Sequence, residues 1–326
     1  MQLSSDRSGL QARLIAATRA LAGDDPAARF GVAVSGGPDS MALLYLAARA
    51  FPERVAAVTV DHRLRPASAD EAAMVARWCA GQGIAHHVAK PDAPPSGNIQ
   101  AWARAQRYRL IEQWRSAQGV DWIMTAHHAD DQLETLLMRL NRGSGVGGLA
   151  GVRGRSGTVI RPLLGVRKAA LQRLVDEEAV PHVHDPSNAD PRFDRAALRV
   201  ALTGANWLNP EAAARSAAAL AEAEAALDWS VAELAARHVG RDGDQWRLDR
   251  TDLPREYLRR LVLHMLNAAA PNAALPRGDA LDRAIGAAQV GGQANLGDWL
   301  LRGGRVWTLR AAPPRGHFQK VPQSDA

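Results

Sequence analysis

Six residues, Ser35-Gly36-Gly37-Pro38-Asp39-Ser40, carry the densest chemistry in the sequence. They follow the apolar run FGVAV and precede MALLYLAA, so the chain passes from strand to bend to helix within a few residues. Glycines in such a bend let the backbone come close to a ligand and turn its N–H groups inward. The helix that follows adds the positive end of its dipole, and together these favour an anion, most often phosphate. Ser35 and Ser40 add hydroxyls. No lysine follows the glycines, so the Walker spacing is absent, and the stretch does not match GxGxxG either. Asp39 stands where a Walker loop offers positive charge, and an acid beside phosphates makes sense with a cation such as Mg²⁺ between them. The plainer alternative is a Gly-Gly turn that serves only tight helix–strand packing.

A second cluster lies at 125–135, TAHHADDQLET. Asp130, Asp131 and Glu134 open a helix, and at about 100° per residue they share one face beside the stripe of Leu133, Leu136, Leu137 and Leu140. Acids in a first turn are often dipole partners, which accounts for one or two of them. His127 and His128 precede them, but adjacent residues of an extended chain point to opposite faces, which weakens a metal-site reading. From Thr135 to Val175 there are eight basic residues and no acid, a one-signed stretch suited to a polyanion. Within it, residues 141–155 hold six glycines and are expected to form a loop with no regular element. Its GSGVG follows a helix, so it is no dinucleotide fingerprint. Arg142, Arg153 and Arg155 of that loop can meet phosphates. Arg104 and Arg107 sit near the start of a helix that also carries Trp102 and Tyr108, and one of them is expected to face phosphate. Asp61 and His62 end the run VAAVTV. His182 and His184 resemble a two-ligand metal pair but read better as surface residues.

These groups need a scaffold that brings them to one edge. Apolar runs at 30–34, 55–60, 84–88 and 121–126 alternate with helix-like patterns, the signature of parallel βαβ units with ligands at the carboxyl ends of the strands. The expected fold class is therefore α/β. Asn209-Pro210 is a good cap for a long alanine-rich helix, and the domain boundary is placed at 205/206. The second domain, 206–326, is expected to be mostly helical, with a short hairpin through Gly303-Gly304 and a mobile tail. At 326 residues two domains are the natural division. The start MQLSSDRSGL has no apolar secretory core, and no stretch is apolar enough to cross a bilayer, so a cytoplasmic protein without membrane contact is expected. Cys79 is the only cysteine, which excludes an internal disulfide, a cysteine zinc site or an iron–sulfur cluster within one chain.

SGGPDS after a buried strand resembles the PP-loop of the ATP pyrophosphatases, which cleave ATP between the α and β phosphates and adenylate a carbonyl oxygen. The stretches VDHRLRPASADEA, ARAQRYRL, TAHHADDQLETLLMRLNRGSGVGGLAG, RPLL and DPSNADPRFDRAALR occur in the order found in the tRNA(Ile)-lysidine synthetase family, covering roughly residues 30–200. The resemblance implies a Rossmann-like parallel sheet and ATP with Mg²⁺, the nucleotide held by Ser35, Gly36, Gly37, Pro38, Asp39, Ser40, Asp61, His62 and His127. Asp39 would hold the metal, and Asp39, Asp131 and Glu134 would be catalytic. Asp131 and Glu134 match the family's lysine-recognising acids. The implied partners are free L-lysine and tRNA(Ile) with a CAU anticodon, the RNA meeting Arg104, Arg107, Arg142, Arg153, Arg195 and Arg199; a homodimer is compatible with the sequence. Where the family commonly has Arg-Asn, this chain has Arg195-Ala196. A PP-loop tRNA 2-thiolation enzyme is the nearest alternative, and a single cysteine argues against it. A non-catalytic nucleotide-responsive RNA-binding protein is another, and the acids beside the phosphate site argue against that. Amide ligation would need an amidotransferase domain or partner.

Overall fold

The computed structural model describes residues 7–64, 67–92, 95, 97–183, 194–271, 273–276 and 278–313. By contacts the chain divides into two compact units, Met1–Glu222 and Ala223–Ala326. The division falls within the long helix α9, Pro210–His238, whose cap Asn209 accepts from the N–H groups of Glu211 and Ala212 at 3.0 and 3.1 Å. The first turns of α9, with Ala213, Ala214 and Ala217 buried, belong to the first unit.

The first unit is built on strands β1 (Phe30–Ala33), β2 (Val55–Val60), β3 (Ala85–Ala89), β4 (Trp122–Met124), β5 (Arg155–Ser156) and β6 (Val159–Ile160). Among the described residues they form one sheet in the order β3-β2-β1-β4-β6-β5. Every neighbouring pair is parallel except β5 with β6. From β1 the chain moves outward through β2 and β3, then returns to lay β4 on the other side of β1. The order thus reverses between β1 and β4, the place where an open α/β sheet leaves a crevice at its carboxyl edge.

The helices of this unit are α1 (Arg7–Ala22), α2 (Pro38–Ala50), α3 (Ser68–Gly81), α4 (Ile99–Ala117), α5 (Ala129–Leu140), α6 (Val146–Leu149), α7 (Lys168–Glu177) and α8 (Asp194–Leu202). Leu10 and Leu14 of α1, Met41, Leu43, Leu44 and Leu46 of α2, and Leu171 and Leu174 of α7 pack together with Val32 and Met124 of the sheet. A separate cluster joins Leu110, Ile111 and Trp114 of α4 to Val58 and Ile123. Gly31 makes that packing possible: a Cβ there would lie 2.5 Å from the Trp114 ring. With β1 and its neighbours covered by apolar side chains, their runs read as nearly continuous apolar residues rather than alternating ones.

The second unit contains α10 (Arg255–Ala269) and α11 (Gly278–Gln289) with strands β7 (Val239–Asp242), β8 (Gln245–Leu248), β9 (Gln293–Leu296), β10 (Trp299–Arg302) and β11 (Trp307–Ala311). The expected hairpin is β10–β11, paired antiparallel with Leu301 opposite Leu309. It is part of a larger antiparallel sheet, β7-β8-β11-β10-β9, that accompanies the expected helices. Leu248, Leu301, Trp307 and Leu309 of the sheet pack on Leu258, Leu261 and Met265 of α10 and Ile285 of α11. Arg260 fastens α10 to the middle of α9, reaching Glu224 at 2.7 Å and Asp228 at 2.7 Å while also pairing with Glu256 at 2.8 Å. The tail beyond residue 313 and the stretch 184–193, which includes His184, lie outside the described residues.

Candidate active site

The bend after β1 is held by its own polar atoms. Ser40 Oγ donates to the Gly37 carbonyl at 2.9 Å and accepts from the Ser35 N–H at 3.2 Å, so Ser40 closes the loop as well as facing the crevice. Gly36 has φ +85°, which a side chain rarely adopts, and its carbonyl accepts from the Val183 N–H at 2.9 Å. Pro38 begins α2 without loss, because the first N–H groups of a helix have no partner inside it. Asp39, in that first turn, places Oδ1 in a buried position with no hydrogen-bond partner.

Across the crevice, β4 delivers His127 and His128 to the start of α5. The two point differently, as their spacing requires. His127 lines the crevice with Nδ1 3.0 Å from Thr125 Oγ1. Burial, reinforced by Arg161, Arg195 and Arg104 against the opposing pull of Asp131, lowers its pKa to about 4, so the ring is neutral near pH 7. His128 is the cap of α5: its Nδ1 accepts from the Asp131 N–H at 3.3 Å, and Asp131 Oδ2 accepts from the His128 N–H at 3.1 Å. Its Nε2 lies 3.5 Å from Asp39 Oδ2 and 3.5 Å from Asp131 Oδ2. Burial works against a charged His128 ring, but the contact with Asp39 and the charges of Asp131, Asp39 and Asp130 outweigh it and raise its pKa.

The three acids of α5 do not converge on one point. Asp131 lines the crevice. Asp130 turns to α7, accepting from the Lys168 N–H at 2.7 Å, with Arg167 3.7 Å away. Glu134 is buried and bound by α8: Arg199 reaches its two oxygens at 2.6 and 3.1 Å, and Arg195 approaches at 3.0 Å. Two of the six arginines expected to meet RNA, Arg195 and Arg199, are therefore engaged with an acid expected to meet an amine. Arg199 also lies 3.7 Å from Asp131, and Arg195 donates to Thr135 Oγ1 at 2.9 Å.

The crevice is a cavity of about 700 Å³, within the roughly 300–1,000 Å³ of small-molecule sites. Ser35, Asp39, Asp61, His62, His127 and Asp131 all contribute to its wall, together with Arg104, Arg107, Lys168 and Arg195. Asp61 is buried, accepting from Ser68 Oγ at 2.7 Å and the Arg63 N–H at 2.9 Å; burial alone would raise its pKa, and these bonds with the charges of Lys90 and Arg63 bring it below the usual value. Both ring nitrogens of His62 are buried without a hydrogen-bond partner, and its ring meets Trp102 edge-on at 6.0 Å. Burial and the Arg107 cation hold that imidazole below its ordinary pKa. Arg104 lies over the Tyr108 ring at 5.1 Å.

The stretch 141–155 departs from the expected irregular loop, because Val146–Leu149 forms a short helix inside it. Gln132, buried on α5, holds its far end by donating to the Val152 carbonyl at 2.7 Å and accepting from the Val152 N–H at 2.8 Å. Arg142 is exposed, whereas Arg153 turns inward, with Nη1 buried and Nη2 3.5 Å from the Gly147 carbonyl. Part of the one-signed basic stretch is likewise used inside the fold: Arg161 is buried and donates to the Arg153 carbonyl at 2.8 Å, and Arg155 covers the Trp122 ring at 4.4 Å. His182 bonds the Val180 carbonyl at 3.0 Å, and no group of three or more His, Cys, Asp or Glu poised for a metal occurs among the described residues. Gln132 was given no role by the sequence, Lys168 only a share in the basic stretch and His128 only a weak metal-site reading, since each acts through a partner distant in sequence or on another element.

A parallel sheet with a glycine-serine-aspartate bend at its switch point is the architecture of the PP-loop proteins, and residues 10–205 match the PP-loop domain family. The solved U34-tRNA thiolase of Methanococcus maripaludis shares the fold with a TM-score of 0.53 at 15% identity, over 66% of this chain and 80% of that one. A tRNA(Ile)-lysidine synthase of Zymomonas mobilis subsp. mobilis is 42% identical over 88% of this chain and 89% of its own. That of Novosphingobium aromaticivorans is 41% identical over 89% of each. The chain belongs to the tRNA(Ile)-lysidine synthase family.

Proposed function

We propose that the protein ligates free lysine to C2 of the wobble cytidine in the CAU anticodon of tRNA(Ile), consuming ATP and releasing AMP and pyrophosphate. The observation that carries the reading is the crevice itself: a phosphate-type bend after β1 and the acid Asp131 after β4 face one cavity at the switch point of the sheet. The names of relatives that align along nearly the whole chain support the substrate.

ATP lies with its phosphates along Ser35–Ser40 and its nucleoside toward Asp61 and His62, whose unpartnered ring nitrogens offer hydrogen-bonding capacity. His127, neutral near pH 7, borders the same space. The orphaned Asp39 Oδ1 suits a hard cation, and Asp39 would hold Mg²⁺, an ion that takes oxygen ligands and needs no dedicated protein cage. When bound, such an ion neutralises charge on the phosphates. The cytidine is unstacked into the crevice, as bases of single-stranded loops are read. Its C2 oxygen attacks the α-phosphorus, the bond to the bridging oxygen breaks, and pyrophosphate departs with that electron pair.

The lysine ε-amine then attacks C2 and expels AMP, losing a proton in the process. Asp131, open to the crevice, attracts the ammonium group. Glu134 serves lysine recognition with it, in an arrangement where Arg195 and Arg199 share its charge. Arg104, Arg107, Arg142, Arg195 and Arg199 make up the RNA-facing set, Arg153 being turned into the 141–155 loop, and the part of the chain from 206 onward adds recognition of the tRNA body.

The division of labour is tested by separating the two half-reactions. Asp39→Asn abolishes tRNA-dependent pyrophosphate release, whereas Glu134→Ala spares it more than lysine transfer. Equal loss of both steps in both variants contradicts the assignment.

A further inference from the structure

The ring of His128 joins two helices that the proposed chemistry needs at one place. It is 2% exposed at the cap of α5, and because Nδ1 accepts the Asp131 N–H, the ring proton sits on Nε2. That Nε2 lies 3.5 Å from a carboxylate oxygen of Asp39 on α2 and 3.5 Å from one of Asp131 on α5. One N–H thus faces two acids from different elements. Two carboxylates brought this close repel each other, and a donor between them offsets that repulsion while fixing where their remaining oxygens point. Asp39 Oδ1, the oxygen not in this contact, is left buried and unpartnered.

We propose that His128 is a positioning residue: its Nε2–H bridges Asp39 and Asp131 and so holds the acid beside the phosphates and the acid beside the incoming amine in one fixed arrangement. The inference rests on the lysine-ligating reading above. It also gives adjacent histidines separate tasks, with His127 on the crevice wall and His128 behind it.

Two substitutions separate the roles of the ring nitrogens. His128→Asn puts an acceptor near the place of Nδ1, a favoured helix cap, but is too short to reach Asp39. His128→Gln carries a donor toward the place of Nε2 and gives up the cap. The Asn variant is expected to keep the wild-type melting temperature yet lose about 10- to 100-fold in pyrophosphate release, the usual effect of removing a partner that orients a ligating group. Mn²⁺ binding to its ATP complex, read by electron paramagnetic resonance, weakens by a similar factor. The Gln variant melts lower and recovers part of both the rate and the Mn²⁺ affinity.

A role confined to capping predicts the reverse order, with the Asn variant near wild type in rate and in Mn²⁺ affinity. That result overturns the inference, as does equal loss in the two variants. Wild-type protein that binds Mn²⁺·ATP but transfers no lysine defeats the ligase reading instead, and the order of the variants in Mn²⁺ binding still decides the part played by His128.

Discussion

The pair Glu134–Arg199 is the sharpest place to test how α8 is fixed to the acids of α5. Glu134 is buried and receives two hydrogen bonds from Arg199, at 2.6 and 3.1 Å, while Arg195 stands 3.0 Å away. Removing one partner of a fully buried ion pair costs about 3–5 kcal/mol. Arg199 is 34% exposed and Arg195 42%, so water recovers part of the loss and about 2 kcal/mol is the reasonable expectation for Glu134→Ala. In a unit of this size that corresponds to a melting temperature lower by about 4–8 °C. The clean measurement is a double-mutant cycle with Arg199→Ala, followed by denaturant unfolding at fixed pH. The coupling energy should be about 1.5–3 kcal/mol, the range for charge-assisted hydrogen bonds. A coupling below about 0.5 kcal/mol, the level of independent sites, would refute the claim that Glu134 anchors α8.

Other outcomes follow from the same geometry. Gly36→Ala forces a side chain into φ +85° with Val183 Cγ2 3.3 Å from the new Cβ, and should cost about 1–2 kcal/mol together with most ATP affinity in calorimetry; unchanged binding would contradict a tight bend at the phosphates. His127 has a folded pKa of about 4 against an ordinary 6.5. The unfolded chain therefore takes up a proton first as pH falls, and stability is lost between pH 6.5 and 4, by at most about 3 kcal/mol. Unfolding of His127→Gln across that window should show a flatter pH dependence than wild type.

Much of the scaffold was legible. The run VAAVTV is β2 itself, because β-branched residues covered on both faces leave a continuous apolar signal, and Asn209-Pro210 marked the start of α9 through cap chemistry that is local. Of the sheet in the second unit only the β10–β11 hairpin was, since strands such as Gln245–Leu248 and Gln293–Leu296 are four residues long and mix polar with apolar residues. The pairs β5 and β6 are shorter still. Alanine-rich α1 carries its buried Leu10 and Leu14 in a stretch with little amphipathic contrast. The crevice residues were readable by type and spacing, because the bend and the acids of α5 are contiguous motifs. Their partners were not. Arg199 meets Glu134 and His128 meets Asp39 only once β4 lies beside β1, and periodicity along one element says nothing about such encounters.

Lysine ligation is read out by incubating the folded protein with unmodified tRNA(Ile) bearing CAU, Mg·ATP and labelled lysine. The expected result is label joined to the wobble cytidine, with one AMP and one pyrophosphate released for each lysine transferred. Absence of label in the tRNA under conditions where the protein binds ATP would contradict it.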